Sequence, residues 1–167
     1  FVADWYDYNI SHSSPKNRSQ WYQPSRSDGR VWRIATPGLQ PIPSKQLDLS
    51  KRSNALLIAR LSHSNDWYAR QARRVFAERR DKSIVTALEP LIDHRDQRLA
   101  LQALWSIYVS GGFDDRLAHK TLRSNHEYIR VWAVRLLGDR RPIPERLQSN
   151  LALLAGDAPS VVVRSQL

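Results

Sequence analysis

The period of the hydrophobic positions changes partway along the chain. Over residues 1 to about 36, short aromatic and β-branched runs, FVADWY and RVWRI, flank a polar stretch rich in Ser, Pro, Asn and Gly. Such a pattern predicts a β-hairpin with a long loop. Within Asp28-Gly29-Arg30-Val31-Trp32-Arg33-Ile34 the Asp-Gly pair suits a tight turn, and Val31 and Ile34 flank Trp32 in a strand. The next stretch, TPGLQPIPSKQ, carries three prolines and reads as an extended crossover. It sets a linker over residues 37–46.

From Leu47 the period is helical, and it recurs. Asn65-Asp66 starts a helix in which Tyr68, Ala72, Val75, Phe76 and Arg79 share one face, while Arg70, Arg73, Arg74 and Arg80 point away. A second such helix begins near Asp96, with Leu99, Ala103, Leu104 and Ile107 inward. A third begins near Asn125–Glu127, with Ile129, Ala133, Leu136 and Leu137 inward, and a short fourth near Asp157. Ala72, Ala103 and Ala133 fall in register at a spacing of about 30 residues, within the range of stacked supersecondary units. Between these helices lie others, over 53–61, 82–92, 115–122 and 144–154. The expected fold is mainly α: a HEAT-like helical-hairpin solenoid of about three and a half repeats over residues 47–167, preceded by the hairpin of 1–36. One hairpin alone has too little apolar surface to close a core, so the array must stack and its last unit must leave an apolar face.

Composition narrows the picture in three ways. The 167 residues are 41% hydrophobic and 25% charged, ordinary for a globular chain, but a net charge of +10 and a pI of about 10.5 are not. Such a balance admits an acidic protein, nucleic acid or an anionic surface as partner, alongside a merely solvated Arg-rich surface. Cysteine is absent, which removes disulfides, thiolate zinc sites and CxxCH haem attachment from this stretch. No run approaches the roughly 18 apolar residues of a membrane-spanning helix. The start at FVADWY without Met and the end at DAPSVVVRSQL, about two turns after a helix-start signal, read as the cut ends of a larger protein.

The run VADWYD, a polar loop with His12, then DGRVWRI, Leu47-Asp48-Leu49-Ser50 and LSHSNDWYARQARRVFAERRD resemble a family of planctomycete-type membrane-bound dehydrogenases. The resemblance covers nearly the whole chain. It implies that residues 1–36 are the C-terminal strands of a β-propeller blade similar to sugar and sorbosone dehydrogenases, and that HEAT-like repeats follow. It further implies a downstream c-type cytochrome domain bearing CxxCH, a quinone cofactor in the propeller, and a periplasmic or cell-envelope location. On this reading the chain joins the propeller to the cytochrome domain as a scaffold, holds no cofactor itself, and has no activity of its own. No catalytic motif of the family falls on a numbered position here.

Three groups of residues bear chemistry. Asp4, His12 and Asp28, with Asp7 and Arg26, could converge at a propeller face, where a carboxylate–imidazole pair accepts a proton from an alcohol. Against this, Asp4 and Asp28 suit turn hydrogen bonds and His12 a solvated loop. Asp4 and Asp7 alone are too few ligands for calcium. His63, His94 and His126 recur in inter-helix turns, either as a metal or pH-sensitive strip or as caps of helix ends. Arg70, Arg73, Arg74, Arg80, Arg130 and Arg135 form a candidate partner-binding basic surface for an acidic protein. Nucleic acid is the lesser reading, because Asp66, Glu78, Asp81 and Glu127 lie within helical reach of these arginines. Trp67, Trp105 and Trp132 read as packing residues.

Overall fold

The computed structural model describes residues 2–3, 31–32, 37–38, 42–139, 142–157 and 160–167. The chain divides into two units, Phe1–Pro43 and Ser44–Leu167, so the division falls inside the Pro-rich stretch. In the first unit β1 (Val2–Ala3) pairs antiparallel with β2 (Val31–Trp32), Val2 opposite Trp32 and Ala3 opposite Val31. Gly38, at φ 85°, supplies the left-handed residue of the Pro37-Gly38 turn. The loop that carries Asp4, His12 and Asp28 lies outside the described residues.

The second unit is mainly helical. It runs α1 (Ser44–Leu47), α2 (Asn54–Arg60), α3 (Asp66–Arg79), α4 (Val85–Leu88), α5 (Gln97–Val109), α6 (Asp115–Leu122), α7 (Glu127–Asp139), α8 (Glu145–Asp157) and α9 (Val161–Arg164). Side-chain caps set many of the starts. Ser53, Asn65, Asp96, Asp114 and Ser160 each accept a backbone N–H from the first turn that follows. Successive helices pack as hairpins, and α5 lies between α3 and α7. One core runs through the unit, from Leu57 and Leu61 through Phe76, Leu88, Leu104, Ile107, Leu117 and Ile129 to Leu137 and Leu147. Ala72, Ala103 and Ala133 are all fully buried, where the missing bulk lets the helices approach.

Polar pairs fix the register between hairpins. Asn54 Nδ2 donates to Asp81 Oδ2 at 2.7 Å, and Arg79 donates to Asn54 Oδ1 at 2.8 Å and to the carbonyls of Ser50 and Arg52. Arg116 grips both Glu89 oxygens at 2.7 Å, Lys120 reaches Asp93 at 3.1 Å, and Arg146 reaches Asp115 at 2.7 Å. Arg98 holds both the His63 carbonyl and Asp66, and Ser160 bonds Glu127. Exposed pairs of this kind stabilise by about 0–1 kcal/mol each, so apolar burial carries the fold and the pairs select its alignment.

The structure corrects three expectations. Residues 82–92 do not make one helix: a 3₁₀ turn at Lys82–Ile84, the short α4, and a second 3₁₀ segment at Glu89–Asp93 follow one another. Pro90 stops α4, because it lacks the N–H that a continuing α-helix requires. The last helix starts from Ser160, whose hydroxyl accepts from Val163 N at 3.2 Å, and Asp157 instead ends α8. The end of the expected 37–46 crossover is helical, since Pro43 precedes Ser44 and can lead into a helix start. The expected apolar face of the last unit is present, with Leu153, Val161, Val162 and Leu167 exposed around α8 and α9 while Val163 is buried against Val131. Among the described residues no helix is long and apolar enough to cross a membrane.

A cationic and aromatic strip across three helices

Helices α3, α5 and α7 present equivalent positions at the 30–31-residue spacing: Arg74, Trp105 and Arg135 correspond, as do Gln71, Gln102 and Trp132. From Trp105, Trp132 and Arg135, joined by Arg73 next to Arg74, the structure builds a continuous strip. Arg73 of α3 lies over the Trp105 ring of α5, its guanidinium carbon 4.8 Å from the centroid. Trp105 meets Trp132 of α7 edge to face, with centroids 4.9 Å apart and planes at 78°. Arg135 covers Trp132 at 5.2 Å. Ring quadrupoles favour both contacts, the cation over a face and an edge against a face. Burial lowers the pKa of the half-buried Arg73 guanidinium, and the nearby positive charge of Arg70 adds to the effect. Arginine remains cationic even so.

The six arginines expected to form a basic surface therefore divide. Arg73 does not point away from the protein, as its place on the helix suggests, because the indole of the next hairpin draws it inward. Arg74 pairs with Glu78 at 2.8 Å on its own helix. Arg80 sits in the left-handed region at φ 53°, ends α3, and donates to the Val109 carbonyl. Arg130 donates to the Ser124 carbonyl at 2.6 Å. Arg70 and Arg135 are exposed. Sequence reasoning assigned Trp105 and Trp132 to packing, yet both are only half-buried. The signal available was that Trp105 recurs at the helical position of Arg74 and Arg135, and Trp132 at the polar position of Gln71 and Gln102. On α5 two buried polar atoms, Gln102 Oε1 and Trp105 Nε1, have no hydrogen-bond partner.

The histidine turns prove to be helix-start devices. His63 Nδ1 accepts the backbone N–H of Asn65, and His94 Nδ1 that of Asp96, each at 3.0 Å. In the third turn Ser124, not His126, does this work, accepting from His126 N at 3.2 Å. His126 occupies the cap position itself, its carbonyl accepting from Ile129 and Arg130. The histidines thus do not share one register. Among the described residues no group of three or more His, Cys, Asp or Glu is placed to hold a metal ion.

Electrostatics elsewhere follow the inter-hairpin pairs. The Arg116 hydrogen bond holds the Glu89 carboxyl below its ordinary pKa, and Arg116 is raised in return. Asp81 is lowered chiefly by its hydrogen bonds from Ser83, with Asn54 adding to them. No protein-family profile, no curated protein and no solved structure matches the chain.

Proposed function

We propose that this chain is the scaffold section of a multidomain cell-envelope redox protein, a sugar or alcohol dehydrogenase linked to c-type haem. On this reading the β1–β2 pair belongs to the last blade of a propeller that carries a quinone cofactor. The helical unit is a HEAT-like solenoid of about three and a half hairpins, and its partners are the propeller and cytochrome domains of its own polypeptide. The chain spaces those domains and contributes no catalytic group.

One observation supports the scaffold role above the others. Polar side chains on each hairpin are committed to the next: Asn54 to Asp81, Glu89 to Arg116, Asp115 to Arg146, and Asp66 to Arg98. Together with a core continuous from Leu57 to Leu147, this arrangement resists sliding and bending between hairpins. The redox parent rests on the resemblance in VADWYD, DGRVWRI and SNDWYARQARR. Its test is the flanking coding sequence. Blade-like repeats encoded before Phe1 and a CxxCH encoded after Leu167 are expected; a gene with neither would overturn the redox parent.

A further inference from the structure

A guanidinium stacked on an indole has its face covered and keeps its N–H donors on the rim, where they remain open to a planar acceptor. Arg73 and Arg135 are both held this way. Neither rim donates to a protein acceptor among the described residues, and the exposed Arg70, one turn before Arg73, has none either. Their neighbours differ: Arg74, Arg79, Arg98, Arg116 and Arg146 all spend their donors on carboxylates, amides or carbonyls of the chain. Arg73 and Arg135 thus lie on the two indoles with their donors uncommitted and Arg70 close to Arg73, Asp66 being the opposing charge that acts on Arg73, in a chain whose net charge is +10.

We propose that Arg70, Arg73, Trp105, Trp132 and Arg135 form a docking strip for an acidic peptide segment of a partner protein. Carboxylates of the partner pair with the three guanidinium rims, the planar fork matching a carboxylate bidentately. The chain between those carboxylates lies along the two indoles. Helices packed about 8–10 Å apart make a three-helix strip roughly 20 Å long. About six residues of extended chain span that length.

Stacking geometry decides against nucleic acid. A base needs an open aromatic face, and here one face of each indole is taken by a guanidinium while the rings meet each other edge to face. A peptide with spaced carboxylates needs only the open rims. The strip would serve this purpose whether or not the chain belongs to a redox parent.

The test is fluorescence anisotropy with the whole 167-residue chain. Three fluorescein-labelled probes are compared: an alternating Glu-Ala peptide of about eight residues, the same peptide with Gln for Glu, and an oligothymidylate of equal charge. Arg73→Gln combined with Arg135→Gln is set against Arg95→Gln combined with Arg123→Gln, which removes equal charge from exposed arginines outside the strip. Arg70→Gln, at an exposed position, is a further variant that leaves the stacked rings untouched. The Glu peptide is expected to bind, the Gln peptide not, with affinity falling as salt rises. The strip variant should weaken binding by about tenfold or more, Arg70→Gln should weaken it too, and the outside variant should change it by less than about twofold. Absence of Glu-peptide binding, equal loss in both paired variants, or tighter binding of the oligothymidylate would overturn the proposal.

Discussion

Leu56 and Leu57 are neighbours on one short helix with the same chemistry, yet Leu56 is 53% exposed and Leu57 0%. They isolate burial as a cause. Truncating Leu57 to Ala removes three carbon groups from a closed environment, at about 0.8 kcal/mol each, or roughly 2.4 kcal/mol of lost transfer free energy. The cavity left behind adds to this, so Leu57→Ala should cost about 3–5 kcal/mol. Leu56→Ala gives up contact that is mostly with water and replaces Leu with a better helix former, so it should stay within about 0.5 kcal/mol of the parent. For a chain of this size, about 3 °C per kcal/mol puts the Leu57→Ala melting temperature roughly 10 °C below that of the Leu56 variant. Urea titration followed by circular dichroism and by Trp fluorescence gives the free-energy costs, and a thermal melt gives the temperatures. Equal effects from the two substitutions, or a Leu57→Ala cost under about 1 kcal/mol, would refute the argument that α2 closes the core at this point.

The remaining predictions concern single contacts. A Cβ added to Gly112 would stand 2.3 Å from Val85 Cγ2, so Gly112→Ala should destabilise by about 1–3 kcal/mol, and Val85→Ala in the same chain should recover much of that in a thermal melt. Glu89 has a folded-state pKa below its unfolded one, so its contribution is present above the unfolded value and disappears as pH falls through the folded value. Glu89→Gln should therefore flatten the loss of stability on acidification from pH about 5 to 3, read by urea midpoints at each pH. His94→Ala removes the acceptor for Asp96 N and should cost about 1 kcal/mol, whereas His94→Asn, which offers an oxygen at similar reach, should cost less. Asp96→Ala unsatisfies Arg98 N and Leu99 N together and should lower the melting temperature at least as far as His94→Ala does.

The helix starts were written plainly in the sequence because a cap is a local interaction. Ser53, Asn65 and Asp96 lie within three residues of the N–H groups they accept, and the inward sets Ala103-Leu104-Ile107 and Ile129-Ala133-Leu136-Leu137 follow from the 3.6-residue period. Pro90 was equally local, and its missing N–H explains why the helical pattern over 82–92 overstates the helix. Arg73 was different. Its position on α3 reads as solvent-facing, and only Trp105, thirty-two residues on and one hairpin away, turns it into half of a cation–π contact. The same holds for Arg98, whose partners His63 and Asp66 belong to the preceding turn. The strip was legible only in part, through the recurrence that puts Trp105 and Arg135 at one helical position, while Arg73 and Trp132 stand at others. That recurrence carries meaning once the stacking of the helices is known.

Rigidity between hairpins is the claim on which the scaffold reading stands. The chain contains no cysteine, so single thiols can be introduced without a background. Ser62, in the turn after α2, and Ser149, on α8, are both exposed and lie in different hairpins. Spin labels on the Ser62→Cys, Ser149→Cys chain, measured by double electron–electron resonance, should give one narrow distance distribution that survives moderate salt. Salt weakens the surface pairs and leaves the apolar core intact. A broad or multimodal distribution would contradict a chain that holds two ends at a fixed spacing.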